Sequence, residues 1–369
     1  MKVLVVGSGG REHALAWRIS QSPGLTGLWV ASGNAGTTQL ATNLDISPEN
    51  VEGIVEAARS FKIDLVVVGP EQPLADGLVD RLDALGLPAF GPTQAAAQLE
   101  VSKGFARQVM QEASVPGPDF RVFADQSRAL DFLEKHSGPA VVKADGLAAG
   151  KGVLICQNQA EAVSAVNSCM SERVFGAAGE KVVIEELLTG PEVSVFGLTD
   201  GERLSPLVAA CDYKRVGERD QGLNTGGMGS YAPPPFWNQA LDDEIRNTIM
   251  QPVIDAMLRR DRPYRGVLYA GLMLTASGPK VLEFNCRFGD PETQVILPLM
   301  EGDPLTAMLA CSQGTLDPSS VAWSARPHVG VVLTSGGYPA QYQTGYEISG
   351  LENSDTDTLV FHAGTHIIE

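Results

Sequence analysis

Three short apolar runs, each closing on glycine-bearing text, constrain this chain more than any other feature. MKVLVVG (1–7), LWVASG (28–33) and IDLVVVGP (63–70) read as buried strands. REHALAWRIS (11–20) and ENVEGIVEAARSF (49–61) lie between them and read as helices; helix GLVDRLDALG (77–86) and the short strand LPAFGP (87–92) follow. Strands alternating with helices at this spacing imply parallel pairing and right-handed crossovers. The three strand ends carry Gly7-Ser8-Gly9-Gly10, Gly33-Asn34-Ala35-Gly36 and Gly69-Pro70-Glu71. Open α/β sheets bind ligands at the carboxyl ends of their strands. Residues 1–102 are therefore expected to form an α/β substrate-binding unit.

The remaining text changes character. Helix KGFARQVMQEA (103–113), the breaker Pro116-Gly117-Pro118 and helix SRALDFLEKH (127–136) precede strands PAVVKAD (139–145), VLICQ (153–157) and KVVIEELL (181–188). Residues 118–190 have the size of an α+β lid. Strands EVSVFGL, LSPLVAA, RGVLYAGLML and PKVLEFNCR then follow, with long helices expected over 240–260 and 291–311. From about 325 the strand HVGVVLTSGG opens a small terminal unit, and TLVFHAGTHIIE (358–369) reads as a last strand with an open edge. A chain of 369 residues has room for two to four such units.

Charge and cysteine usage narrow the function classes. A net charge of −17 argues against a nucleic-acid or anionic-membrane partner, though not against a phosphorylated small molecule held by local amides. Five cysteines without a Cys-x-x-Cys pair read as reduced thiols of a cytoplasmic protein, and no apolar stretch reaches bilayer length.

Five segments carry chemistry. Glycines ahead of a helix N-terminus, as in Gly7-Ser8-Gly9-Gly10-Arg11, suit a phosphate or phosphoribosyl group; a tight structural turn is the plain alternative. A dinucleotide fingerprint does not fit, because Glu12 stands where the third glycine is needed and no acidic residue closes the second strand. VVKADGLAAGKG (141–152) is not a P-loop: only three residues separate Gly146 from Gly150, and no Ser or Thr follows Lys151. A strand lysine before a glycine loop can still hold nucleotide phosphates under a lid. An unpaired Lys143 in so apolar a strand would be expensive, which favours that role over a solvated hairpin lysine. VIEELL (183–188), then Gly190-Pro191-Glu192, has the form of an interdomain hinge that pairs with an adenine edge, with a carboxylate for ribose hydroxyls. In VLEFNCRFGDPET (281–293), Glu283, Asn285 and Arg287 alternate onto one strand face. Two oxygen ligands beside an arginine suit Mg²⁺ and the charge of a transferring group; a salt bridge on a wet sheet is the alternative. Asp290 before Pro291 reads as a helix N-cap with proline at the first helical position. The polar, glycine-rich 212–229 reads as a functional loop.

Taken together, VGSGGREHALAW, GNAGT, VGPE, KADGLAAGKG, DYKRVGERDQGLNTGGMG, VLYAGLML and LEFNCRFGDPETQ resemble the ATP-grasp ligases, and within them the glycinamide ribonucleotide synthetase family. The resemblance spans nearly the whole chain. It implies an α/β and α+β multidomain fold: a Rossmann-like unit over 1–102, an ATP-grasp unit over 103–315 and a terminal unit over 325–369. In the family that last unit continues past the FHAGT text, so here it is expected to be incomplete. The implied partners are small molecules, ATP, glycine and 5-phosphoribosylamine, acted on by a monomer or weak homodimer. The products are glycinamide ribonucleotide, ADP and phosphate, by way of a glycyl phosphate. By the same resemblance Lys103 and Lys143 contact ATP phosphates beneath the loop of Gly150, Lys151 and Gly152. The hinge of Glu185, Glu186 and Leu188 takes the adenine, and Glu192 the ribose. Glu283 and Asn285 hold Mg²⁺ (or Mn²⁺), while Arg287, Lys143 and Asp212 serve catalysis. Gly9, Gly10, Arg11, Asn34, Glu71, Asp212, Lys214, Asn224, Thr225, Gly226, Gly227 and Arg287 surround phosphoribosylamine and glycine.

Overall fold

A computed structural model of the chain describes residues 1–136, 138–148, 151–219, 221–355 and 357–368. The apolar runs pair as read. Strands β1 (Lys2–Gly7), β2 (Gly27–Ser32), β3 (Thr42–Leu44), β4 (Leu65–Val68) and β5 (Ala89–Phe90) form a parallel sheet in the order β3-β2-β1-β4-β5. The three-residue β3 had no counterpart in the sequence reading, because Thr42–Leu44 is too short and too polar to show an apolar period. Pleating sends Leu4, Val6, Val66 and Val68 to one face, and Val3, Val5, Leu65 and Val67 to the other. Both faces are buried, under helices that include α1 (Gly10–Ser20) and α2 (Val51–Ser60). Short helices α3 (Glu71–Ala75) and α4 (Leu78–Asp83) follow β4, and α5 (Gln94–Val101) and α6 (Lys103–Glu112) lead out of the sheet.

A second, antiparallel sheet has the order β6-β9-β7-β8, from β6 (Phe120–Phe123), β7 (Ala140–Ala144), β8 (Val153–Cys156) and β9 (Val182–Glu186). Ala140, Val142 and Ala144, with Val182 and Ile184, pack on α7 (Gln126–Glu134) and α8 (Gln159–Met170). Alternation puts Val141, Lys143 and Glu185 on the opposite face, with Lys143 paired to Val183 and Val141 to Glu185.

The third sheet has six strands in the order β16-β15-β10-β11-β14-β19. They are β10 (Glu192–Asp200), β11 (Val208–Asp212), β14 (Gly229–Ala232), β15 (Arg265–Thr275), β16 (Gly278–Asn285) and β19 (His328–Val331). Between β11 and β14 the expected loop folds into a hairpin, β12 (Arg215–Gly217) with β13 (Gln221–Asn224). The helix expected over 240–260 is present as α9 (Gln239–Ile245), a π-helical turn and α10 (Gln251–Arg259).

Three expectations need correction. The helix expected over 291–311 breaks into α11 (Thr293–Ile296), a 3₁₀ turn, a two-residue strand β17 (Met300–Glu301, paired with β18, Ala322–Trp323) and α12 (Pro304–Gln313). Pro298 and Gly302 interrupt it, and Asp303 restarts the helix by accepting from the Leu305 amide at 3.2 Å ahead of Pro304. Asp290 is not the cap expected of it: its carboxylate accepts from the Gln294 side chain at 2.7 Å and faces the Arg11 amide at 3.4 Å. The strand expected over 358–369 does not form among the described residues. Its backbone groups bond helix α1 and the loop after β2 instead: the His362 amide donates to His13 Nδ1 at 2.8 Å, and the Ala35 amide to the Thr365 carbonyl at 3.1 Å. The strand expected from about 325 forms as His328–Val331 and hydrogen-bonds along β14 at the edge of the six-stranded sheet.

The turn between β9 and β10 joins the second sheet to the third, and Gly190 sits in it at φ +150°. A Cβ there would lie 2.2 Å from the Leu274 carbonyl oxygen, a backbone atom that cannot swing aside. Gly190→Ala is expected to cost about 2 kcal/mol, read as a lowered thermal midpoint with an unchanged far-ultraviolet spectrum. Wild-type stability in that variant would mean that the turn relaxes freely.

Candidate active site

The three sheets face a cleft of about 1930 Å³. Glu71 and Glu100 reach it from the first sheet's connections, Lys143 and Glu185 from the lid sheet, and Asp212, Glu283, Asn285 and Arg287 from the third.

One wall of the cleft is built around a carboxylate. Glu185, 4% exposed, accepts from Arg107 Nε at 2.6 Å on one oxygen, and from Arg107 Nη2 and Lys143 Nζ at 2.8 Å on the other. Lys143 Nζ also donates to the Leu282 carbonyl at 2.8 Å. Arg107 donates to the Val281 and Leu282 carbonyls at 3.1 and 2.8 Å. Burial pushes the Lys143 ammonium down, and Glu185 opposes that shift. Burial would push Glu185 up, yet Lys143 and Arg107 together hold it below the usual carboxylate range.

Across the cleft Arg287 is held by two carboxylates. Its Nε donates to Glu71 Oε2 at 3.2 Å, and its Nη2 lies 3.5 Å from Glu100 Oε1. Glu100 in turn accepts from the Cys286 amide at 2.7 Å and the Cys286 thiol at 2.9 Å. Glu283 and Asn285 differ from these: among the described residues neither side chain has a protein hydrogen-bond or ion-pair partner. Burial pushes the Glu283 carboxyl up, but the field of Lys103, Lys143, Lys214 and Arg287 keeps it below its ordinary value. An unspent carboxylate beside an unspent carboxamide fits Mg²⁺, which takes few protein oxygens and completes its shell with water and phosphate. No group of three or more His, Cys, Asp or Glu side chains among the described residues could hold a metal by itself.

Around the third sheet, Lys214 Nζ donates to Glu192 at 2.9 Å and lies 3.9 Å from Asp212. Burial, with Glu292 and Glu192 nearby, pushes the Asp212 carboxyl up to about 6 against the pull of Lys214. Glu292 is 3% exposed and accepts from Tyr269 at 2.8 Å and Ser194 at 3.2 Å. Glu186 pairs with Lys280 at 2.8 Å.

Most of the residues expected at the site converge. Lys103, Lys151, Gly152, Leu188, Asn224, Thr225 and Gly226 line the cleft with those already named. Gly150 lies outside the described residues. Gly227 stands just behind the lining at φ +123°, where a Cβ would strike Pro291 Cδ at 2.3 Å, so only glycine lets this turn pack on the Arg287 segment. Gly9, Gly10, Arg11 and Asn34 do not line the cleft. Arg11 instead donates to Glu12 at 2.5 Å and to the Phe288 carbonyl at 3.2 Å. The Asn34 carboxamide bonds Ser8, His362, Gly36 and Thr37 backbone, as a structural turn would. Arg107, Glu100 and Glu292 were not anticipated. The available signal was a charge on an apolar helix stripe: Arg107 beside Ala106 and Met110, and Glu100 beside Ala96, Ala97 and Leu99.

Comparison with known proteins shows the family. The family model for the phosphoribosylglycinamide synthetase N domain matches residues 1–100, and that for its ATP-grasp (A) domain matches residues 101–293. A phosphoribosylamine–glycine ligase of Rhodopirellula baltica is 46% identical over the whole chain, which spans 86% of that relative. The trifunctional purine biosynthetic protein adenosine-3 of Gallus gallus is 50% identical over 99% of the chain and 37% of its own length. The solved phosphoribosylamine–glycine ligase of Thermotoga maritima superposes with a TM-score of 0.86 at 31% identity, covering all of this chain and 88% of its own.

Glu100 serves two masters, the Cys286 backbone and the Arg287 guanidinium. Glu100→Ala leaves a buried amide without an acceptor and a buried cation with one partner fewer. The expected cost is about 3 kcal/mol, seen as a lower urea midpoint with an unchanged slope. An unshifted midpoint would mean that Glu71 alone suffices to hold Arg287.

Proposed function

Because the chain belongs to the phosphoribosylglycinamide synthetase family, we propose that it is an ATP-dependent ligase joining glycine to 5-phosphoribosylamine in purine biosynthesis. The observation that carries the reading is the convergence of Lys143, the unspent Glu283–Asn285 pair and the doubly held Arg287 on one cleft.

A carboxylate oxygen of glycine attacks the γ-phosphorus of ATP, the bond to the β-phosphate oxygen breaks, and ADP leaves. The amine of phosphoribosylamine then attacks the carbonyl carbon of the glycyl phosphate, and the carbon–oxygen bond to phosphate breaks. Neither step needs a covalent enzyme intermediate, so positioning and charge stabilisation carry the catalysis. Lys103, Lys143 and the loop with Lys151 and Gly152 hold the phosphates. Backbone of Glu185–Leu188 meets the adenine, and Glu192, released from Lys214, meets the ribose. Glu283 and Asn285 hold Mg²⁺ or Mn²⁺, which when bound neutralises phosphate charge. Arg287 faces the transferring phosphoryl and acyl phosphate groups. Asp212 accepts the proton that the attacking amine loses, while Lys214, Thr225 and Gly226 enclose the amine and glycine. Glu71 acts through Arg287. We divide the chain into a substrate unit over 1–102, an ATP-grasp unit over 103–315 and a terminal segment from 325. Among the described residues no helix is long and apolar enough to cross a membrane.

The direct test is ADP release with Mg-ATP and phosphoribosylamine, with and without glycine. Glycine-dependent release is expected; release that ignores glycine would overturn the acyl donor. Glu283→Gln or Lys143→Ala should lower turnover by about 10²–10³, the scale of one lost electrostatic contact. Near-normal turnover in either would overturn its role. Asp212 must be ionised to accept a proton, so turnover should fall as pH drops through about 6. Asp212→Asn should remove that inflection along with most of the rate.

A further inference from the structure

Arg107 sits at the cleft wall, yet it has nothing left to offer a substrate. Its five N–H groups are all engaged within the protein: Nε on Glu185, Nη2 on Glu185 and the Leu282 carbonyl, Nη1 on the Val281 carbonyl and the Met110 sulfur. Lys143 is different. Two of its three N–H groups go to Glu185 and the Leu282 carbonyl, which leaves one for the cleft. The residues involved are 3–5% exposed, so solvent screens their charges little.

The charge count gives this arrangement a consequence. Glu185 with Lys143 alone would be a closed, neutral pair, and a nucleotide triphosphate would gain little by approaching it. Adding Arg107 leaves the triad with one net positive charge. Arg107 bonds both oxygens of Glu185 and is out of the nucleotide's reach, so the unbalanced charge is expressed at Lys143, the member with a free donor. Arg107 and Lys143 also share the Leu282 carbonyl, one residue before Glu283, which ties this charge to the position of the metal-side carboxylate.

We propose that Arg107 is a positioning residue for nucleotide binding: by balancing the charge of Glu185 it leaves Lys143 beside Leu282 with its positive charge available to the ATP phosphates. This rests on the ligase reading of the same cleft and adds to it a residue that touches neither substrate nor metal.

The test measures equilibrium binding of Mg-ATP without glycine, so that no turnover occurs, alongside KM for glycine at saturating ATP. Arg107→Met should weaken Mg-ATP at least tenfold and leave KM for glycine within about twofold. The deciding variant is Arg107→Met with Glu185→Gln, which removes both the positive and the negative charge and again leaves Lys143 unbalanced. It should bind Mg-ATP several-fold more tightly than Arg107→Met alone. A merely structural role predicts the reverse, because the double variant loses more contacts. Arg107→Lys keeps the charge without the two-oxygen grip. It should lie within about threefold of wild type, and it carries the test if the methionine variant does not fold. Unchanged Mg-ATP binding in Arg107→Met overturns the proposal, as does a double variant no better than the single one or an Arg107→Lys as weak as Lys143→Ala. A wild-type chain that binds no Mg-ATP would overturn the ligase reading and this proposal with it.

Discussion

The Glu185 carboxylate, shared between Arg107 and Lys143, is the contact on which the geometry of the cleft depends. It ties the paired strands β7 and β9, through Lys143 and Glu185, to α6 through Arg107 and to β16 through the carbonyls of Val281 and Leu282. Burying three charges is costly, and the attraction between them returns little more than that cost. Net stability is therefore a poor reason for such a network. Its value is placement: removing one member strands a buried charge, so the alternatives are all worse than the observed arrangement. The same holds on the far wall, where Glu100 and Glu71 confine Arg287. Both carboxylates come from the connections that leave the first sheet. The first unit thereby aims the arginine of another unit.

Much of the fold was legible because its signals are local. A buried parallel strand must be apolar on both faces, and Val3–Val6 and Leu65–Val68 satisfy that without help from distant text. Lys143 was legible by contrast, as a charge in an apolar strand. Its partners were not, because Arg107 and Glu185 lie 36 and 42 residues away: the pairing of β7 with β9 brings in Glu185, and α6 carries Arg107 to it. The misread helix at 291–311 shows the opposite failure. The Asp-Pro capping pattern occurs at 290–291, 303–304 and 317–318; the second caps α12 and the third a 3₁₀ turn, while the first caps nothing. At the first, the carboxylate that could cap is spent on Gln294, a choice that no local pattern reveals.

The glycine text was informative in an uneven way. Gly7–Arg11 and Gly33–Gly36 do sit at carboxyl ends of parallel strands, as ligand loops in such sheets do. Arg11 and Asn34 nevertheless spend their polar groups on Glu12, Phe288 and the 362–365 segment. A strand-end position is a statement about topology, whereas availability for a ligand is a statement about unspent donors and acceptors. Only the second separates these residues from Glu283 and Asn285.

That distinction orders the charge pairs around the cleft. Lys143–Glu185 has side chains 6% and 2% exposed, and neither partner can leave without abandoning a buried charge. Lys214–Glu192 has both side chains 49% exposed, and Lys280–Glu186 is 26% and 38% exposed. Pairs this wet are worth about 0–1 kcal/mol, so exchanging one partner for a phosphate, a ribose hydroxyl or an amine costs little. The cleft thus combines two kinds of ion pair for two purposes. In the proposed reaction the dry ones hold the groups that must not move while charge is transferred, and the wet ones keep other charged groups in place until a substrate takes over a partner. A site that must admit three charged small molecules needs both, since rigid pairs alone would offer no vacancy and loose pairs alone would set no geometry.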